Sequence, residues 1–227
     1  MTLTTKVGIG VGIVAFVIVI LFATGKLKFN ITKVDETDSS SAPTTSESKS
    51  SSKKGSSQKA KLNSEAVSFV SKAGLGTFKI KIPVGWSLSD DPAVDFIAGS
   101  MVPTKISTGE DFYSNINIII GPHEGTLQTF ADYKANWKDA IKSQYPGVEF
   151  VADGSTKVNG MDTYVLEIIQ PAPNGAPIHQ IQYVYYIDQQ IAAVATGTAA
   201  DEAWDDFDQV VNDSLKSFQK TTDTSSI

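Results

Sequence analysis

A two-residue alternation of apolar and polar positions predicts the first strand, residues 77–83 (TFKIKIP). One face of this strand would carry the apolar side chains Phe78, Ile80 and Ile82. Pro83 ends it, because proline has no N–H to donate to a ladder. Gly85 then permits a tight bend that folds Trp86 back onto the core. We interpret the stretch as scaffold, and the alternative for Trp86 is a stacking platform for a ligand.

Six further apolar or alternating runs predict strands, at residues 94–99, 113–120, 149–158, 163–170, 179–187 and 191–197. Turn-forming pairs separate the last four runs, namely Asn159-Gly160, Asn174-Gly175 and Asp188-Gln189. Short turns between alternating runs are typical of hairpins. These four strands are therefore expected to form an antiparallel meander.

Apolar residues recurring every three or four positions predict helices. A short leading helix is expected at residues 64–72. A second helix follows the N-cap Thr126, with the stripe Leu127, Phe130, Tyr133, Trp137, Ile141 and Tyr145. Thr198 and Asp201 resemble the capping box of a third, with the stripe Trp204, Phe207, Val211, Leu215 and Phe218. Because each stripe would cover a face of the antiparallel sheet, the pattern predicts an α+β layered domain.

The order of these elements resembles that of the PsbP-like family over about residues 76–219. The shared features are the strand ending P-x-G-W at residues 83–86, the helix start TLQTFADY, the hairpin KVNGMDTY with Gly160 and Tyr164, and a last helix closing on Ser217-Phe218. The resemblance implies an α/β/α sandwich around an antiparallel sheet and a binding or assembly role in place of catalysis. None of the matched positions is a ligand-binding residue of the family.

The first third of the chain departs from that family. Residues 7–25 (VGIGVGIVAFVIVILFATG) carry no charge and are flanked by Lys6 and Lys26. A helix of this length measures about 28 Å, close to the roughly 30 Å hydrocarbon core of a bilayer. We predict a transmembrane anchor, where the family would have an organelle transit sequence. The alternative is a cleaved signal peptide ending near Ala23 and Gly25, whose usual apolar core of ~7–15 residues is shorter.

Residues 26–63 form a predicted Ser/Thr/Lys-rich linker, since 13 of the 22 residues between positions 37 and 58 are Ser or Thr. Such a segment lacks the apolar surface needed to offset its ordering entropy. The expected organisation is a short tail (1–6), the anchor (7–25), the linker (26–63), a globular domain (64–219) and a disordered tail (220–227). Serine-rich stalks beside an anchor commonly lift a domain off the outer surface, which predicts a single-pass membrane protein with its domain outside the cytoplasm. Local lysine counting, with Lys26, Lys28 and Lys33 after the anchor, slightly favours the opposite side.

Charge and composition narrow the function further. The chain has no cysteine, which excludes disulfides, thiol nucleophiles and thiolate metal sites. Its net charge of −6 is unevenly spread, because residues 75–219 hold 8 Lys against 19 acidic residues, or −11. All 19 basic residues are lysine. An acidic domain without arginine argues against a nucleic-acid partner and favours a basic protein or a divalent cation.

Few residues are candidates for chemistry. Neither His123 nor His179 lies in a nucleophile motif, and no phosphate-binding or metalloprotease motif occurs. His123 and Glu124 are weak metal candidates, since two adjacent ligands are too few and a solvated turn explains them. The acidic run Asp201, Glu202, Asp205 and Asp206 fits the positive end of a helix dipole without any ion. Tyr183, Tyr185 and Tyr186 could line a pocket, but strand packing explains them.

The sequence therefore predicts a membrane-anchored, non-catalytic accessory or binding domain that engages a membrane or envelope protein. No catalytic residue and no cofactor is predicted. The alternative is a small-ligand or divalent-metal-binding protein, and an enzyme with a pocket between sheet and helix is a weaker one.

Overall fold

The computed structural model describes residues 60–122, 130–171 and 176–221, with only the backbone of 132, 133 and 136. The strands of this part are β1 (Val67–Val70), β2 (Thr77–Ile80), β3 (Trp86–Ser89), β4 (Phe96–Ser100), β5 (Thr104–Lys105), β6 (Asp111–Phe112), β7 (Asn115–Pro122), β8 (Glu149–Val158), β9 (Met161–Pro171), β10 (Pro177–Tyr186), β11 (Ile191–Ala200) and β12 (Gln219–Lys220). The helices are α1 (Phe130–Gln144) and α2 (Trp204–Lys216), and the 3₁₀ turn Asp201–Ala203 directly precedes α2.

Seven strands form the main sheet in the order β3-β4-β7-β11-β10-β9-β8. Every neighbouring pair is antiparallel, and β8 to β11 follow one another, so the predicted meander is confirmed. The turn between β8 and β9 has positive φ at both Asn159 (49°) and Gly160 (85°). This backbone is that of the two-residue hairpin turn that an Asn-Gly pair favours.

The two helices cover opposite faces of the main sheet. Side chains alternate between the faces along each strand, and the helices pack on the two alternate sets. The α2 face is built from a large cluster that includes Phe96, Ile116, Ile118, Ile181, Tyr183, Tyr185, Val211 and Leu215. On the other face, Trp137 and Ile141 of α1 pack on Tyr164, Leu166, Ile168 and Val184. The result is the α+β layered domain expected from the two apolar stripes, arranged as the α/β/α sandwich that the family resemblance implied.

The segment expected to form a leading helix at residues 64–72 is instead a strand, and that prediction was wrong. β1 pairs antiparallel with β2, so that Phe69 lies opposite Phe78. β12 pairs with the other edge of β2 and completes a small three-stranded sheet. Phe69 contacts the rings of Phe78 and Phe96, at centroid distances of 6.1 and 4.9 Å. The apolar side chains of this segment therefore follow the two-residue period of a strand, and they pack against the neighbouring strand.

The predicted capping box at Thr198 and Asp201 was also wrong. β11 continues through Thr198 to Ala200, which pairs with Ile178 of β10. The N-cap residues of the 3₁₀ turn and of α2 are Ala200 and Ala203, and neither makes a side-chain cap hydrogen bond. Backbone pairing with β10 thus overrides the helix preference of the alanine-rich strand end. β11 is three residues longer than predicted as a result.

Residues 77–86, from the first predicted strand to Trp86, form part of the scaffold. Phe78 is fully buried and stacks on Phe218, with ring centroids 5.5 Å apart. Gly85 adopts a φ of 81°, the left-handed conformation that the bend requires. Trp86 then begins β3 and is buried against the core, with its ring 6.4 Å from that of Phe207.

Several predicted features lie outside the described residues. These are the anchor at 7–25, nearly all of the linker, the N-cap Thr126, the Asn174-Gly175 turn, and the weak metal candidates His123 and Glu124. Among the helices that the structure does describe, none is both long and apolar enough to cross a membrane. The domain boundaries at 64 and 219 stay predictions, although β12 extends the ordered sheet to Lys220.

Replacing Gly197 by alanine should strongly destabilise the domain. A Cβ atom on Gly197 would lie 2.1 Å from Cγ1 of Val211 in α2, so strand or helix must shift. We expect a loss of about 1–3 kcal/mol in the free energy of unfolding, measured by urea denaturation. Adding Val211→Ala should cost less in the G197A background than in the parent chain. Gly154→Ala is the control, because nothing lies within 4 Å of its Cβ position; an equal loss there would contradict the argument.

Candidate functional site

The tyrosines of β10 are divided between the two faces of the sheet and do not form one pocket lining. Tyr183 and Tyr185 are buried under α2, where their hydroxyls donate to Asn212 Oδ1 (2.8 Å) and to the carbonyl of Leu215 (2.7 Å). Tyr186 lies on the other face beside Phe130 of α1. Burial raises the pKa of Tyr185 well above its usual value. Tyr183 and Tyr185 therefore attach α2 to the main sheet.

His179, on the α2 face of the sheet, has a polar partner at each ring nitrogen. Its Nε2 lies 2.8 Å from Oε1 of Glu167, and its Nδ1 lies 2.9 Å from Oδ1 of Asp201. The imidazole ring stacks on Trp204 at 4.2 Å with a 4° angle between planes. The Trp204 indole N–H also donates to Glu167 Oε1 (3.1 Å). We call these four residues the histidine clasp.

The geometry of the histidine clasp restricts its chemistry. A general base needs one ring nitrogen free to accept a proton from substrate, and a metal ligand needs one free to coordinate. In His179 a carboxylate oxygen occupies the position in front of each nitrogen. Among the residues described here, no group of three His, Asp or Glu side chains could hold a metal ion. The clasp therefore joins β9, β10 and the start of α2.

The acidic run at the start of α2 does not act as one carboxylate surface. Asp201 belongs to the histidine clasp, and Glu202 accepts the backbone N–H of Ser107 at 2.6 Å. Asp205 and Asp206 are exposed in the first helical turn, where the helix dipole favours negative charge. Sequence reasoning placed these acids on the helix but missed the two contacts.

Exposed apolar side chains gather at one end of the sheet, which we call the apolar tip. Its members and their exposed fractions are Val84 (58%), Met101 (54%), Val102 (76%) and Tyr113 (38%). Backbone bonds hold the three segments together, from Met101 N–H to the Gly85 carbonyl and from Ser100 N–H to the Ser114 carbonyl. Single exposed apolar residues are ordinary, but four of them on neighbouring segments make this end of the sheet a candidate interaction surface.

The apolar tip borders an outer strand of the main sheet. Within the described part of the chain, β3 pairs only with β4, so its other edge is not covered by a strand. Leu88 on this strand is 47% exposed. An outer strand with free backbone groups and apolar side chains is a template for pairing with another chain. The β3 edge begins next to the tip, because Gly85, whose carbonyl accepts the N–H of Met101, directly precedes β3.

Comparison with known proteins decides the fold. No protein-family model and no curated protein matches the sequence. Cyanobacterial PsbP from Synechocystis sp. PCC 6803 superposes with a TM-score of 0.50 and 15% identity, covering 69% of this chain and 92% of that one. LpqN from Mycobacterium tuberculosis superposes with a TM-score of 0.52 and 14% identity, over the same shares.

The described residues have the PsbP-like fold. The resemblance predicted from the order of elements is therefore confirmed at the level of fold. Identities of 14–15% carry no activity or ligand from those proteins to this one. Within the PsbP-like fold of this chain, the histidine clasp lies between β9, β10 and the start of α2, with its two carboxylates partly exposed. The apolar tip lies at one end of the main sheet.

Sequence reasoning missed most of these residues for a physical reason. The clasp joins residues of β9, β10 and the 3₁₀ turn, and only the strand register brings Glu167 near His179. A signal was present in His179 itself, because a histidine on the apolar face of a strand needs polar partners. The apolar tip had a weaker signal in the Met101-Val102 pair, which no periodic run explains.

Alkaline pH should weaken the domain partly through Tyr183. Burial, and then the charges of Asp208, Asp213 and Glu167, raise the pKa of Tyr183 to about 12. The unfolded chain loses that proton near pH 10, so stability is intact below pH 10 and falls as pH rises from 10 to 12. Each such proton contributes a slope of about 1.4 kcal/mol per pH unit. Urea titrations at rising pH should give a shallower fall for Tyr183→Phe, and an unchanged slope would contradict the assignment. Tyr113→Phe is the control at the surface.

Replacing His179 by phenylalanine should keep the stacking on Trp204 and remove both hydrogen bonds. Glu167 and Asp201 would then face an apolar ring, and we expect the free energy of unfolding to drop by about 2–3 kcal/mol. Adding Asp201→Ala should restore part of the loss, because Asp201 has then lost its bond to His179. Glu167 keeps the indole N–H of Trp204 in both variants. A change within about 0.5 kcal/mol in H179F, the range of ordinary surface substitutions, would refute the clasp.

Proposed function

We propose that this chain is a membrane-anchored, extracytoplasmic binding module that engages a protein of the membrane or envelope through the apolar tip. The observation that carries the proposal is the exposure of four apolar side chains in one group, from 38% for Tyr113 to 76% for Val102. Surfaces of this kind are stabilised when a partner removes them from water. The adjoining edge of β3 supplies backbone donors and acceptors for the same contact.

The position of the N-terminal segment supports contact near a membrane. Lys61 accepts the N–H of Val84 with its carbonyl at 2.7 Å, and Leu62 pairs with Pro83. A linker arriving from residues 7–25 would therefore meet the domain beside the apolar tip. A random coil of the linker's length has a root-mean-square span of about 30 Å. The tip would be held within reach of proteins embedded in the same bilayer.

The histidine clasp supports binding in preference to catalysis. Its histidine faces a carboxylate at each ring nitrogen, which leaves no nitrogen directed at a substrate. LpqN, which shares the fold, is described as involved in cell envelope biogenesis, a setting that suits an anchored extracytoplasmic domain. The acidic surface of the domain further favours a partner with a basic rim.

A paired substitution tests the proposal in membranes that carry the full-length chain. Met101→Asp with Val102→Asp places two charges in the apolar tip, where burial against a partner would leave them desolvated and unpaired. We expect chemical crosslinking followed by tag purification to recover a specific protein with the parent chain, and at least tenfold less of it with the tip variant. Protease added outside intact cells should remove the domain.

Val70→Asp is the matched control, because Val70 is 63% exposed on β1, away from the tip. It should leave recovery unchanged. Equal recovery with the tip variant would show that another surface binds. Absence of any specific protein, or protection of the domain from external protease, would overturn the proposal itself.

A further inference from the structure

The α1 face of the main sheet carries a block of uncharged polar side chains where apolar ones would pack best. Its members are Asn115, Asn117, Gln170, Gln180, Gln182, Thr196 and Thr198, and none is more than 7% exposed. We call this block the amide array. The α2 face opposite holds isoleucines and tyrosines on the same strands. The array is thus a departure from the binary pattern that the rest of the sheet follows.

Strand register makes the amide array contiguous. Asn117 of β7 lies opposite Thr196 of β11, which lies opposite Gln182 of β10. The next row of the same face consists of Asn115, Thr198 and Gln180. Gln170 of β9 pairs with Ile178 and so lies diagonally beside Gln180. Six side chains in two rows, with a seventh at the edge, form one hydrogen-bonding surface.

The array is only loosely bonded to itself. Asn117 Nδ2 donates to Asn115 Oδ1 at 3.5 Å, and Gln180 Nε2 donates to Thr198 Oγ1 at 3.4 Å. Both distances are at the outer limit for a hydrogen bond. Among the described residues, Gln180 Oε1 and both amide atoms of Gln170 have no hydrogen-bond partner. Each such buried group costs about 1–3 kcal/mol. The array holds three of the five buried side-chain atoms that lack a partner among the described residues.

Different elements close the two ends of the array. At the Gln182 end, α1 is fixed by Trp137, whose indole N–H donates to Gln182 Oε1 at 3.0 Å. At the Thr198 end lies the hairpin β5-β6, whose Ile106 packs on Ala176 and Ala200. Its strands have two residues each, and Glu202 accepts the N–H of Ser107. The hairpin covers less of the array than α1 does. Ile106 is its one buried side chain in the cluster with Ala176 and Ala200.

We propose that the amide array is a binding site for a small uncharged solute with both hydrogen-bond donors and acceptors, closed in this structure and entered by displacement of the β5-β6 hairpin. Amide and hydroxyl groups supply donors and acceptors together, which suits hydroxyl or amide groups of a ligand. None of the seven members is ionisable, so a charged ligand would lose its hydration without an opposite charge to replace it. The proposal is independent of the apolar tip and of membrane anchoring.

Nuclear magnetic resonance of the side-chain amides tests this directly on the full-length chain in detergent. Acetamide, glycerol and glucose serve as neutral probes, and acetate is the charged counterpart of acetamide at equal size. We expect at least one neutral probe to shift the amide signals of Gln170 and Gln180 saturably, and acetate to leave them unchanged. No shift with any neutral probe, or equal shifts with acetate, would overturn the proposal.

Substitutions separate a ligand site from an imperfect core. Gln170→Met removes two unpartnered atoms at similar volume, so it should raise the unfolding midpoint whether or not a ligand binds. Gln180→Met removes one unpartnered atom and the 3.4 Å bond to Thr198, so its effect on the midpoint should be smaller. If the array is a site, the pair should also weaken binding of the responding probe at least tenfold, as read from other signals of the array. Gln190→Met, in an exposed turn, is the control. Undiminished probe binding in the pair would place the probe elsewhere and refute the site.

A last variant tests the entrance. Ile106→Ser removes the buried side chain of the hairpin and should speed hydrogen exchange of the Gln170 and Gln180 side-chain amides at least tenfold, with the core strands unaffected. Exchange that stays at the rate of global unfolding in this variant would refute entry through the hairpin.

Discussion

The packing of α2 on the main sheet depends on the missing side chain at Gly197. Val211 occupies the space that a Cβ atom would fill, so helix and strand approach more closely than any other residue would allow. This approach places Trp204 over His179 at one end of the helix and Leu215 over Tyr185 at the other. The hydrogen bonds of the α2 face are consequences of that distance, because they form only over about 3 Å.

Both ends of α2 are then fixed by side chains from elsewhere in the chain. The histidine clasp holds the first turn through Asp201 and Trp204. Asn159, from the tight turn between β8 and β9, donates its side-chain amide to the carbonyls of Lys216 and Phe218. Lys216 is the last residue of α2, where backbone acceptors lack intrahelical partners, and Phe218 follows the C-cap Ser217. Asn159, which adopts a positive φ in the hairpin turn, thus also caps the C-terminal end of α2.

The polar side chains under α2 and those of the amide array differ in how well they are hydrogen-bonded. On the α2 face His179, Tyr183 and Tyr185 all have short hydrogen bonds. On the α1 face the amide array has long ones and several atoms without a partner in the described residues. Since buried polar groups are costly when unpaired, the three bonded side chains under α2 serve as a structural interface, whereas the amide array has unused bonding capacity. The apolar tip adds unused apolar surface at the end of the same sheet, so binding is the property that both features share.

The amino-acid sequence by itself determined the layered fold. Alternation along β7, β9 and β10, the Asn159-Gly160 turn and the two apolar stripes are local patterns, and local patterns suffice because each must hide one face from water. It could not determine the short β1, since a four-residue run is too short for its period to exclude a helix. Nor could it locate the end of β11, where pairing with β10 overrides the apparent capping box. Only tertiary structure decided the candidate sites, because strand register joins Glu167 to His179 and sets Gln180 beside Thr198, and register depends on all the strands together.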